Sequence, residues 1–166
     1  MVRPRTDDDL DACEQLAQAV HQADGYPVWL GSGLRDFISA PEALAAWVAV
    51  DDAAQVVGHV VLNPRTSPGA MALAGEASGL AADELVVVAR LLVAPAARRA
   101  GVASALLDHA VDAARRRQRR PMIDVVTRFA AAITVYERRG WVRVGQASMP
   151  IPDADPLEMY VYVLPF

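Results

Sequence analysis

Residues 84–93 constrain the fold most. The run Glu-Leu-Val-Val-Val-Ala-Arg-Leu-Leu-Val is β-branched and leucine almost throughout, as expected of a central strand buried on both faces rather than of a half-exposed one. Pro95 ends it, because proline cannot donate to a strand ladder. After a short turn the pattern changes to a period of 3.6. Val102, Leu106, Leu107, Ala110, Val111 and Ala114 fall on one stripe of a helix expected over residues 102–117. Pro121 is expected to stop that helix, and residues 122–126 to form the next strand. A buried strand followed by an amphipathic helix and a second strand belongs to an α/β fold.

The flanking segments extend this pattern. Residues 2–5 read as a short strand, followed by a helix capped at Thr6 or Asp7, with apolar positions at Leu10, Cys13, Leu16, Ala17 and Val20. Residues 21–33 form a Gly- and Pro-containing loop that holds Tyr26 and Trp29. Two helical turns are expected at 34–39 and 41–44, the second with proline at its start. Residues 47–50 and 55–62 read as a hairpin around an Asp-Asp-Ala-Ala turn, and 63–83, rich in Gly, Ala, Pro and Ser, as a long loop. A helix over 130–139 closes at Gly140. Strands at 141–144 and 158–164 are joined by a Pro-rich stretch at 150–156. The expectation is one α/β domain (α+β, with a mixed sheet) spanning residues 1–166, its central sheet mostly antiparallel and flanked by helices.

Composition narrows the function classes. With 54% hydrophobic and 22% charged residues the chain is globular rather than disordered. No apolar run reaches membrane-span length, and the first residues lack the apolar core of a signal peptide. One cysteine allows no internal disulfide and no cysteine-based metal site, so a reducing cytoplasm is the expected compartment and no metal is expected. Charge is uneven: residues 1–83 hold 4 Arg against 12 carboxylates, and residues 84–166 hold 12 Arg against 8. A basic half suits an anionic ligand and an acidic half a cationic one, although solvated surfaces explain both equally. The Arg-Arg-Arg-Gln-Arg-Arg run at 115–120 is basic enough to suggest nucleic acid. It lies at a helix C-terminus, where cations complement the dipole, and the net charge of −4 argues against a nucleic-acid partner.

The join between strand and helix carries the chemistry. Its pattern is Leu91-x-Val93-x-Pro95-x-x-Arg98-x-x-Gly101-x-Ala103-x-x-Leu106-Leu107. A helix N-terminus presents unpaired N–H groups and the positive end of its dipole, and so binds phosphate. Gly101 permits a left-handed backbone and close approach of an anion. Arg98 and Arg99 add charge-assisted hydrogen bonds, and the small Ala103 leaves the ligand room. The dinucleotide fingerprint G-x-G-x-x-G is absent, as is the Gly-Lys-Ser/Thr of a P-loop. The plain alternative is a Pro-ended strand followed by a helix whose arginines sit in solvent.

These residues resemble the acyl-CoA-binding motif of the GNAT superfamily of N-acetyltransferases, Arg/Gln-x-x-Gly-x-Gly/Ala, with Arg98, Gly101 and Ala103 in turn. The preceding Leu-Leu-Val-Ala-Pro is similar to the family's strand end. Downstream, Thr-Val-Tyr-Glu-Arg-Arg-Gly-Trp at 134–141 is similar to a second family motif, with Tyr136 and Gly140 in register and Trp141 in place of Phe. The resemblance implies acetyl-CoA as cofactor. The main chain of Leu91, Leu92 and Val93 would hold the pantetheine arm. The turn formed by Arg98, Arg99, Ala100, Gly101, Val102 and Ala103 would hold the pyrophosphate. Tyr136 would protonate the departing thiolate, since a phenol (pKa about 10) and an alkyl thiol (about 8.5) exchange a proton readily. It further implies direct attack by an amine, on a small molecule or a peptide, and a homodimer as one arrangement, while composition and charge give the expectation of no membrane and no nucleic-acid partner.

Two positions depart from the pattern. Phe129 stands where members often carry Asn, and the central strand holds no carboxylate to act as base, with only Glu84 at its start. Glu84 reads better as an exposed strand-entry residue, so the base is unassigned. A non-catalytic acyl-CoA-binding or regulatory module on the same fold is therefore the alternative reading. His21, Asp24 and Tyr26 are candidates for the acceptor side or for a polar surface loop. His59 reads as structural or exposed, His109 as a surface residue and Cys13 as core.

Overall fold

The computed structural model describes residues 1–28 and 33–166. Seven strands form a sheet in the order β1-β2-β3-β4-β5-β7-β6. They are β1 (Val2–Pro4), β2 (Ala45–Val50), β3 (Val56–Asn63), β4 (Leu85–Val93), β5 (Arg120–Val126), β6 (Val142–Ile151) and β7 (Ala154–Val163). The helices are α1 (Leu10–Asp24), α2 (Leu34–Ser39), α3 (Pro68–Ser78), α4 (Val102–Arg116) and α5 (Ala130–Arg138). β4 and β5 are parallel, whereas β1–β2, β2–β3, β5–β7 and β6–β7 are antiparallel. This is the mixed, mostly antiparallel α/β sheet expected from the sequence.

The chain divides into two compact units, Met1–Leu62 with Val88–Asp112 and Asn63–Val87 with Ala113–Phe166. In the first, the apolar stripe of α1 (Cys13, Leu16, Ala17, Val20) buries against Ile38 of α2, Val48 and Val50 of β2, and Leu92 of β4. α4 lies on the opposite face. A Cβ at Gly58 would stand 2.8 Å from Leu106 Cδ1 and Val102 Cγ1, so this glycine lets the first turn of α4 lie close against β3. The N-terminus of α1 is set by Thr6 and Asp9. The Thr6 N–H and hydroxyl both donate to Asp9 Oδ2, and the Arg3 guanidinium holds the Asp9 carboxyl well below the usual carboxylate range. A 3₁₀ turn at Asp7–Asp9 therefore precedes the helix.

The same unit buries a polar network. His59 has no exposed surface; it is structural, not exposed. Its Nδ1–H must donate to the Arg90 carbonyl at 3.0 Å, so its Nε2 lone pair accepts from Arg5 Nη1, also at 3.0 Å. Burial lowers its pKa from 6.5 to about 4. The folded protein thus resists protonation that the unfolded chain accepts. Stability is whole above pH 6.5 and is lost as pH falls from 6.5 toward 4, by about 3 kcal/mol in full. The urea midpoint at pH 5 should lie below that at pH 7, and His59→Gln should flatten this dependence.

In the second unit α3 and α5 cover opposite faces of β5, β7 and β6. Leu73 of α3 packs on Gly145, where a Cβ would stand 3.1 Å from it, and Gly145 lies opposite Val161. The Tyr136 ring of α5 lies 6.3 Å from that of Tyr162, the neighbour of Val161. The Tyr162 hydroxyl donates to Glu137 at 2.8 Å, and its pKa is pushed up to about 12, chiefly by burial and then by that carboxylate.

Four expectations need correction. Residues 63–83 are not a loop: they hold α3, whose Ser67 caps Ala70 N–H, with Pro68 at the first turn and Gly79 left-handed at the end. Alanine and two glycines give that helix no clear stripe, so composition concealed it. Residues 41–44 form a non-helical turn, with Leu44 N–H already donating to Leu62 of the neighbouring strand. Pro121 does not stop α4; left-handed Gln118 follows the helix, and Pro121 lies inside β5. Residues 150–156 are mostly strand, and the turn narrows to Pro152 and left-handed Asp153.

Candidate active site

The strand-to-helix join is built as the sequence requires. After β4 the Ala94 N–H donates to Val57 at 2.8 Å, which ties the strand end to β3. Pro95–Ala97 makes a 3₁₀ turn and Arg98 is extended. Arg99 and Gly101 are both left-handed, at φ 66 and φ 77. A Cβ at Gly101 would meet nothing within 4 Å, so conformation, not space, selects glycine there. The first bond into α4 runs from Ala105 N–H to Gly101 O, which leaves the N–H groups of Val102, Ala103 and Ser104 ahead of any intrahelical acceptor. Residues 98–101 are exposed. This donor set, at the positive end of a helix dipole and beside two guanidinium groups, fits a diphosphate.

Arg98 already has a partner. Its Nη1 and Nη2 donate to Asp24 Oδ1 and Oδ2 at 3.0 and 2.5 Å. Asp24, the last residue of α1 and a candidate for the acceptor side, here holds Arg98 instead.

Within the first unit, residues 88–93 of β4 form an edge, with β3 on one side. Leu92 buries its side chain in the α1–α2 core, so only its main chain can reach a ligand; Leu91 and Val93 are half-buried. An edge main chain offers the donors and acceptors that an amide-rich arm needs.

In the second unit Tyr136 is buried on α5, edge-on to Trp141 at 6.3 Å. Its carbonyl accepts from Arg139 and Trp141, which fixes the helix end around left-handed Gly140. Phe129 is the N-cap residue of α5. Glu84 accepts from Ala81 N–H at 2.8 Å in a 3₁₀ turn and serves that turn.

The structure adds a carboxylate that sequence reasoning missed. Asp124 lies on β5, two residues past the last pair of the β4–β5 ladder, Val87 with Met122. It faces Val161 and hence the α3 side, opposite α5. Thr66 Oγ1 donates to its Oδ2 at 2.5 Å, and among the described residues no cation pairs with it. Burial raises its pKa. Asp124 is half-buried, and a carboxylate drawn away from water without a cation is a functional candidate. The signal in the sequence was an aspartate interrupting an apolar strand, Met-Ile-Asp-Val-Val.

The other candidates have ordinary surroundings. His21 Nδ1 meets Pro27 O at 2.9 Å, Tyr26 packs edge-on to Phe37, and Trp29 lies outside the described residues. The Cys13 thiol is buried and pushed up to about 11, so it is core. Arg115 and Arg120 both stack on Phe166, at 4.9 and 4.8 Å, so part of the basic run packs on the chain itself. Among the described residues no helix is long and apolar enough to cross a membrane.

The comparisons with known proteins agree with this geometry. No curated protein matches the sequence. Among solved structures, a ribosomal-protein-alanine N-acetyltransferase from Brucella melitensis superposes with a TM-score of 0.72 at 18% identity, covering 100% of this chain and 99% of that one. A GCN5-related N-acetyltransferase from Kribbella flavida does so with 0.69 at 22%, covering 100% and 97%. Arabidopsis thaliana NAA60 in complex with acetyl-CoA gives 0.72 at 20%, covering 98% and 96%. These likenesses establish the fold. The acetyltransferase (GNAT) family model matches residues 10–141, and the chain belongs to that family.

Proposed function

We propose that residues 1–166 act as one acyl-CoA N-acyltransferase domain that moves an acetyl group from acetyl-CoA to an amine by direct attack in a ternary complex. The family uses acetyl-CoA. The observation that carries the reading is the left-handed Gly101 at the head of α4, with three forward N–H groups and Arg98 beside it. Acetyl-CoA supplies an acyl thioester activated toward amines. Arg98, Arg99 and the main chain of Ala100, Gly101, Val102 and Ala103 bind its diphosphate, and the main chain of Leu91, Leu92 and Val93 aligns its arm. Asp124 accepts the proton that the amine nitrogen sheds as its bond to carbon forms. Tyr136 donates a proton to the sulfur as the carbon–sulfur bond breaks. Asp124 answers the missing base of β4, and its raised pKa with no cation beside it among the described residues supports that role.

Arg98 must exchange Asp24 for the diphosphate. Both side chains are partly exposed, at 41% and 36%, so the pair is worth about 0.5–1 kcal/mol. Calorimetric titration with acetyl-CoA tests the assignment. Asp24→Asn should tighten binding about two- to fivefold, and Arg98→Ala should weaken it about tenfold. An Arg98→Ala protein that binds like wild type contradicts it.

A further inference from the structure

On the face of the first unit opposite α4, Arg90 and Arg5 flank the buried His59. Arg90, on β4 immediately before Leu91, is left-handed at φ 55, a conformation an arginine adopts in a strand only when its surroundings impose it. Its Cζ lies 4.9 Å over the Phe37 ring. Its Nη2 donates to Glu42 Oε1 at 2.9 Å, while among the described residues its buried Nη1 has no hydrogen-bond partner. Behind it, His59 joins the Arg90 carbonyl to Arg5. Arg5 donates to the carbonyls of Ile38 and Ser39, and among the described residues no carboxylate pairs with it. His59 is neutral, and Asp7 and Asp9 act on Arg5 through space; the carboxylate that Arg90 meets, Glu42, has a side chain about half-exposed at 48%.

The position of this cluster limits what it can hold. His59 is opposite Val48, and Val48 and Leu92 belong to the α1–α2 core. The cluster therefore lies on the α1–α2 face, whereas the diphosphate turn heads α4 on the other face. An anion here is not the cofactor's diphosphate.

We propose that Arg90 receives, through its unpartnered Nη1, a carboxylate carried by the acceptor, so that the substrates are amines bearing a carboxylate, as in amino acids and short peptides. This rests on the acetyltransferase reading above. Glu42, reaching in from an exposed turn, occupies one fork of Arg90 as the substrate carboxylate would occupy the other, and it competes for the same charge. Phe37 under the guanidinium holds the plane of the fork.

The test is steady-state acetylation of matched amines that differ in one carboxylate: propylamine and β-alanine, butylamine and 4-aminobutyrate, 2-phenylethylamine and phenylalanine. The wild type should prefer the carboxylate member of at least one pair by about tenfold or more in kcat/KM. Arg90→Gln should collapse that ratio toward one, chiefly by a loss of about 10²-fold on the carboxylate member, with KM for acetyl-CoA unmoved. Glu42→Gln, a surface change, should raise the ratio several-fold and guards against a merely unfolded Arg90 variant. A wild type that acetylates carboxylate-free amines as well as their partners overturns this inference alone, as does an Arg90→Gln protein whose loss falls on acetyl-CoA binding. A wild type that acetylates neither member of any pair overturns the transferase reading and this inference with it.

Discussion

Tyr136→Phe is expected to lower kcat by about 10²- to 10³-fold while leaving acetyl-CoA affinity within about twofold. The ring is held by Trp141 and Tyr162, and its backbone carbonyl closes the end of α5, none of which phenylalanine disturbs. Only the hydroxyl is lost, the group to which the proposed mechanism gives the proton for the departing sulfur. A loss in kcat without a change in cofactor binding identifies a group that acts in the transition state. Stopped-flow thiol release and a calorimetric titration on the same preparation make the comparison. An equal loss in affinity would mean that Tyr136 only shapes the cofactor pocket.

Asp124→Asn is expected to cost a similar factor in kcat and, in contrast with most losses of function, to stabilise the fold. Burial raises the Asp124 pKa above its unfolded value, so the native state pays to hold the ionised carboxyl at neutral pH. That cost is absent below the unfolded pKa, grows as pH rises toward the folded one and is whole above it. Asparagine removes the charge and still accepts from Thr66 at the same oxygen. The variant should therefore melt higher than wild type at pH 7, and its pH–rate profile should lack the acid limb on which the carboxyl loses its proton. A lower melting temperature with an unchanged acid limb would make Asp124 a packing residue. Stability and activity moving in opposite directions is the mark of a site kept strained for function.

The sequence made legible what local physics determines. The apolar run of β4, its stop at Pro95, the α4 stripe and the left-handed Gly101 each follow from one short segment, and each stands where expected. The α1 stripe is buried at Cys13, Leu16, Ala17 and Val20 as its period requires. The rest depended on distant partners. α3 lacks a stripe because it is built largely of small residues, such as Gly69 against Ala147, and only its Ser67-Pro68 start and Gly79 end announced it. Asp24 and Arg98 are far apart in the chain, and nothing in either segment announces their pairing. Asp124 stands one strand over from β4, on β5, outside the segment that carries the strand-to-helix motif. Its burial and its Thr66 partner arise only when a segment before α3 folds over that strand. Arg90 reads as an interruption of an apolar strand, and its left-handed backbone is visible only in three dimensions.

Amine-dependent thiol release from acetyl-CoA tests the central claim most directly. Purified protein mixed with acetyl-CoA and a panel of amines should release free thiol in step with acetylated amine, at a rate that Tyr136→Phe nearly abolishes. Tight binding of acetyl-CoA with no thiol released in the presence of any amine would contradict the account and leave a protein that binds the cofactor without using it.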